Sequence, residues 1–268
     1  MMPSLPGRRG FRVPWLAAFS GGVLVFLFAP TLIIILFSFH ASPALSFPIR
    51  GLSLRWYREV LVSAHFNSAL KNTVIVGAAT SLITMAIGTL ASLGLTRYRF
   101  RLKPVITFIT VLPITLPALF IGLALLSFFS FLDLRLSLFT VVIGHLIYTL
   151  PYFMLVASAR LERFDTAIEE AARDLGATAW QTFWRVTFPI TAPSIIGAGI
   201  LVFALSFDEF LITFFVIGSQ STLPMLIWSM MRRSIDPRVN VISTMVLGLS
   251  LVLILIMSRL VETSEISL

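Results

Sequence analysis

Two adjacent carboxylates, Asp208 and Glu209, interrupt the run "FALSFDEFLITFFV", whose other polar residues are Ser206 and Thr213. An ionised acid in so apolar a stretch is costly inside a membrane and faces a partner or a water-filled path. Carboxylates beside aromatic rings can lower the barrier for a cation crossing lipid, through Coulomb attraction and cation–π contact. Phe207, Phe210 and Phe214 supply the rings. On a continuous helix Ser206, Glu209 and Thr213 share a stripe, whereas Asp208 has Ala204 and Ile212 above and below it. Glu209, with Ser206, Thr213 and Phe210, is therefore expected to face a pathway, and Asp208 to pair with it or border it. The competing explanation for the acids is a structural pair with a buried arginine or serine. For most of the phenylalanines it is lipid or core packing.

Other chemistry has little support. His40, His65 and His145 are isolated, with no ligand spacing between them, so no metal site is expected and each histidine reads as structural. A P-loop needs Gly-Lys-Ser/Thr, and the only lysines, Lys71 and Lys103, follow leucines. With no cysteine there is no disulfide or thiol chemistry. The chain is not expected to be an enzyme or to carry a cofactor, and any energy must come from a partner.

The elements that must hold these residues are membrane helices. Of 268 residues, 57% are hydrophobic and 12% charged, and the mean hydropathy is +0.97. A helix needs about 20 apolar residues to cross the hydrocarbon core. Six such runs fall at Trp15–Phe39, Thr73–Leu95, Pro104–Leu132, Leu138–Ala159, Ala192–Ile217 and Val241–Val261. The expected fold is all-α, a polytopic membrane protein of one domain over 1–268, with an N-terminal tail at 1–14 and a long loop at about 160–190. A signal peptide competes for the N-terminus, because Arg8, Arg9 and Arg12 precede the first run, but that run is too long and lacks a small-residue cleavage site. Placing both termini in the cytoplasm puts the dense cluster Arg97, Arg99, Arg101 and Lys103 in a short inner loop, where basic residues report orientation best. The net charge of +8 is spread over loops that meet lipid headgroups, and nucleic acid is not an expected partner.

Three loops are long: about 40–70 and 218–240 outside and 160–190 inside. In the first, Leu54, Tyr57, Val60 and Leu61 at near-helical spacing predict an amphipathic surface helix, with Trp56 and Tyr57 suited to the interface. The apolar stretch 222–231 is too short to span, so it is re-entrant or packs against the outer mouth. Pro113 and Pro117 predict a kink or hinge in the third span. Gly77, Ser81, Gly88 and Ser92 predict a close helix–helix contact along the second.

The inner loop, "DTAIEEAARDLGATAWQTFWRVTFPI", is rich in helix signals. Thr166 and Glu169 are spaced as a capping box, Ala167, Ala171 and Ala172 favour helix, and Gly176 interrupts it. A second short helix is expected from about Ala177 to Arg185, before Pro189 and Pro193 start the next span. Two bent helices carrying Glu169, Glu170, Arg173 and Asp174 on one part and Trp180, Phe183 and Trp184 on the other make a docking shape, the aromatics being expected to pack on the span ends. An ordinary solvated connector needs neither this length nor these signals.

Glu170-Ala171-Ala172, then Gly176, then Val186, Phe188 and Pro189, resemble the EAA loop of binding-protein-dependent ABC importer permeases, with Val186 and Phe188 where that family often has Ile and Leu. The resemblance implies the type I importer permease fold and a coupling helix, with Glu169, Glu170, Ala171, Ala172, Asp174, Gly176 and Pro189 contributing to contact with an ATPase. It also implies the partners: two ATPase subunits, a second permease subunit expected to be distinct, an extracytoplasmic solute-binding protein and the lipid of a bacterial inner membrane. "SFDEF", "TFFV", "TLP" and "ISTM" in order, with "FPIRGLSLRWYREVL" and "NSALKNT" in the first outer loop, resemble the permeases of spermidine/putrescine importers. Permeases for ferric iron, thiamine and other small ligands share parts of this pattern. Outside transport, the rival is a membrane-embedded enzyme or assembly scaffold.

Overall fold

The computed structural model describes residues 14–43, 47–49, 51–233 and 236–266. Arg8, Arg9 and Arg12, which precede the first run, lie outside these. Among the described residues, five helices are long and apolar enough to cross a membrane. They are α1 (Pro14–Ser38), α3 (Ala64–Arg97), α6 (Leu138–Arg163), a composite that ends in α9 (Phe188–Asp208), and α12 (Pro237–Ile266). The pair α4 (Lys103–Thr115) and α5 (Ala118–Phe131) is apolar and long enough only when taken together, as one broken span or a re-entrant loop. Shorter helices are α2 (Arg55–Val62), α7 (Thr166–Asp174), α8 (Ala179–Thr182), α10 (Leu211–Val216) and α11 (Leu223–Arg233).

The centre is the mutual packing of α3, α6 and α9, with α12 against α9 and α1 on the outside against α12. Small residues let these backbones meet, as expected for α3. A Cβ on Gly77 would lie 3.0 Å from the Phe203 ring, one on Gly88 would overlap Phe153, and Ser81 Oγ donates to the Gly199 carbonyl at 2.7 Å. Without a hydrophobic force between helices in lipid, such close contact and hydrogen bonding hold the bundle.

Four expectations need correction. The third span is not a kinked helix but two helices at 109°. Leu116 precedes Pro117, which pushes it out of the helical region to φ −89°, ψ 133°, and the chain turns there. The second span begins at Ala64 rather than Thr73, capped by Ser63, whose side chain accepts from Phe66 N, because the polar stretch to Thr73 is helical although it is not apolar. The outer-loop helix forms, but its buried face is Trp56 and Val60, while Leu54 and Leu61 are exposed. Trp56 Nε1 donates to the His40 carbonyl at 2.8 Å, which fastens α2 to the end of α1. The fourth correction is the fifth span, which breaks after Asp208. From Leu223 on, the stretch 222–231 lies in α11, which packs on α3 and α12 with Leu223 buried.

Candidate coupling and translocation sites

At one end of the bundle the chain leaves α6, turns through extended Phe164 and enters α7. The cap is Asp165, whose carboxylate accepts from Ala167 N at 2.9 Å, and not the expected Thr166–Glu169 box. Glu169 is committed elsewhere: its side chain is buried, and Oε1 accepts from Arg97 Nη2 at 3.2 Å and from Thr187 Oγ1 at 2.8 Å. Asp174 ends α7, and Gly176 stands at φ +89°. Gly176 N donates to the Arg173 carbonyl and Ala177 N to the Ala172 carbonyl, a Schellman closure that needs a left-handed residue at Gly176.

Thr178 and Gln181 then form a reciprocal capping box that starts α8. The expected gap before Pro189 is absent. From α8 the chain passes through one π turn, Phe183–Thr187, directly into α9, with Pro189 next to the π turn. The aromatics pack on each other at steep angles, and not on the span ends alone. Trp180 meets Trp184 at 5.5 Å, Trp184 meets Phe188 at 5.0 Å, and Trp180 stays 69% exposed. Glu170, Ala171, Asp174 and Gly176 are exposed beside Ile168 and Leu175, so the elbow presents an apolar and acidic surface outward while Glu169 turns inward.

The second site is the break in the fifth span. Glu209 is extended at φ −70°, ψ 112°, and its Oε1 accepts from Ile212 N at 2.9 Å, so the carboxylate caps α10 instead of projecting from one long helix. The expected stripe is therefore broken: Ser206 and Thr213 are both buried, and each hydrogen-bonds to a ring nitrogen of His145, at 2.7 and 2.8 Å. His145, isolated in sequence, pins α9 and α10 to α6. Its replacement by alanine is expected to orphan the Ser206 hydroxyl, at a cost of about 1–3 kcal/mol, while Thr213 Oγ1 keeps its bond to the Glu209 carbonyl. The Tm of the purified protein in detergent should fall by several degrees.

Asp208 is exposed, and its carboxylate accepts from Ser250 Oγ at 3.4 Å. With Phe210, Trp228 and Met231 it lines a recess of about 350 Å³. The Phe210 and Trp228 ring centroids are 5.4 Å apart, and the Arg232 guanidinium lies 6.0 Å from the Trp228 ring, a cation already placed against that indole. Of the residues expected on a pathway, Asp208 and Phe210 meet at this recess, whereas Glu209, Ser206 and Thr213 hold the break. Trp228 was not singled out from sequence, since nothing local ties α11 to Asp208.

A bundle of membrane helices with an outward-facing helical elbow at one end, and an acid and aromatic recess where a span breaks, defines a multi-pass permease subunit. The profile described as "Binding-protein-dependent transport system inner membrane component" matches residues 84–265, and the chain belongs to that family. It is an inner-membrane permease subunit of a binding-protein-dependent importer, and not an enzyme. In Escherichia coli (strain K12), the putrescine transport system permease protein PotI is 34% identical over 245 residues, covering 88% of this chain and 87% of its own length. The spermidine/putrescine transport system permease protein PotC of the same strain is 29% identical over 238 residues, covering 88% and 90%. Among solved structures, a chain of a bacterial ABC transporter involved in the import of the acidic polysaccharide alginate superposes with a TM-score of 0.68 at 16% identity, over 98% of this chain and 99% of that one. A chain of the inward-facing MetNI methionine ABC transporter does so at 0.57 and 15% identity, over 76% and 99%. The fold is that of ABC importer permeases.

Proposed function

We propose that this permease forms one half of a polyamine pathway, importing spermidine or putrescine. The observation that carries the reading is the recess where Asp208 meets Phe210 and Trp228: a carboxylate and two aromatic faces match an extended polycation. The names of the similar E. coli permeases support it. In this reading both termini are cytoplasmic, because the elbow and the basic cluster at Arg97, Arg99, Arg101 and Lys103 then share the inner face. Two ATPase subunits engage the elbow through Glu170, Ala171, Ala172, Asp174 and Gly176, with Pro189 setting the start of α9. A distinct second permease completes the pore, and an extracytoplasmic binding protein delivers ligand. Closure of the ATPases on ATP rocks the spans between inward-open and outward-open states.

The test is uptake of radiolabelled spermidine and putrescine in cells that lack this gene and any other polyamine importer. Uptake restored by the intact gene supports the assignment. A restored strain that takes up neither polyamine overturns it and turns attention to the binding protein's ligand, with thiamine and ferric iron the first to try.

A further inference from the structure

The connection between the elbow and the membrane spans is narrow and polar. In backbone packing α7 rests chiefly on α8 and the π turn. Between α7, α8 and the end of α3 lies a cleft of about 480 Å³, bordered by Leu90, Leu93, Tyr98 and Trp180, so apolar packing does not fill the joint. What crosses it is Arg97, the last residue of α3. Its Nη2 donates to Glu169 Oε1 at 3.2 Å, its Nη1 to the Leu161 carbonyl of α6 at 3.1 Å, and its guanidinium lies 5.5 Å from the Phe164 ring. The same Glu169 oxygen accepts from Thr187 Oγ1 at 2.8 Å, at the end of the π turn that leads into α9. The two charged side chains are 18% and 9% exposed, so solvent screens the pair little.

We infer that Arg97, Glu169 and Thr187 form a tether that makes α3, α6 and α9 move with α7, a positioning device that transmits ATPase motion to the spans. The inference rests on the reading of α7 as the ATPase-docking element. Its physical basis is stiffness. Charge-assisted hydrogen bonds are stronger than neutral ones, and one carboxylate atom shared by two donors fixes α7 against two spans at once. Arg97 fixes the third. The π turn widens the helix at this point, a feature concentrated at functional sites. Without the tether α7 could shift into the cleft while the spans stayed still.

Because the chain has no cysteine, labels can be placed by single substitutions. The importer is assembled with its partner subunits, and nitroxides are attached at Ala167→Cys on α7 and Leu90→Cys on α3, both exposed. The distance distribution is measured with and without Mg-ATP, together with radiolabelled putrescine imported per ATP hydrolysed. The intact tether is expected to give one narrow distance in both states. Glu169→Ala, which removes the acceptor, and Arg97→Gln are expected to broaden it with ATP and to lower putrescine per ATP about tenfold, and the double variant should be no worse than either single one. Thr187→Val, which removes only the hydroxyl, guards against a folding defect and should show a smaller drop in the same direction. Parent-like distances in Glu169→Ala, or additive losses in the double variant, overturn the tether. The distance measurement decides it whatever the ligand. Glu170→Lys, on the exposed face, keeps the two claims apart. If it loses the ATPase on purification while Glu169→Ala behaves as the parent, the tether fails alone. If it retains the ATPase and full coupling, the docking reading fails.

Discussion

Gly176→Pro is expected to abolish transport while the chain remains in the membrane. Gly176 stands at φ +89°, and its N–H closes the end of α7 on the Arg173 carbonyl. Proline fixes φ near −65° and has no N–H, so the substitution fails on both counts. A local penalty of about 3 kcal/mol lowers the population of the native elbow by about two orders of magnitude. Gly176→Ala separates the two causes. Nothing lies within 4 Å of the Cβ it would add, so only the left-handed strain remains, about 1–2 kcal/mol, and partial transport should survive. Uptake assays paired with immunoblots of the membrane fraction give the result. Normal uptake by the proline variant would remove the elbow from the mechanism.

Asp208→Asn is the second large effect. Two charges about 4 Å apart interact by about 4 kcal/mol at an effective dielectric of 20, and the exposure of Asp208 lowers this toward the aqueous value. A loss of about 1.4 kcal/mol remains a reasonable expectation, a roughly tenfold rise in the KM for putrescine uptake. Glu209→Gln should do less, because the glutamine carbonyl can still accept from Ile212 N and keep the cap on α10. The contrast matters because both substitutions remove one charge at neighbouring positions. Equal losses would mean that net charge acts at a distance. A larger loss at Glu209 would restore it to the pathway and displace the Asp208 recess.

The difference between those two acids shows where sequence patterns lose their grip. Hydropathy located the spans, since the cost of a polar backbone in lipid leaves few alternatives to helices. It could not see that Glu209 would leave the helix. A helical wheel assumes continuity, and a side chain that caps the next helix is invisible to it. Pro117 was a stronger local signal, yet a hinge and a turn of 109° look alike in sequence, because the angle is set by what the second half packs on. In the elbow, Gly176 was legible as an interruption because left-handed backbone strongly favours glycine. The role of Glu169 was not legible, because Arg97 lies 72 residues earlier.

The sequence by itself determined that the protein is a helical membrane component without a nucleotide-binding loop, that a charged helical elbow joins two of its spans, and that its local motifs are those of importer permeases. Composition, period and short motifs are properties of neighbouring residues, so they survive without coordinates. Only the tertiary structure decided which carboxylate opens to the recess, which one ties the elbow to the bundle, and that His145 holds the broken span. Its partners Ser206 and Thr213 stand 61 and 68 residues away. Contacts of that range arise from how helices pack, and helix packing in lipid is decided by shape and hydrogen bonding across the whole bundle.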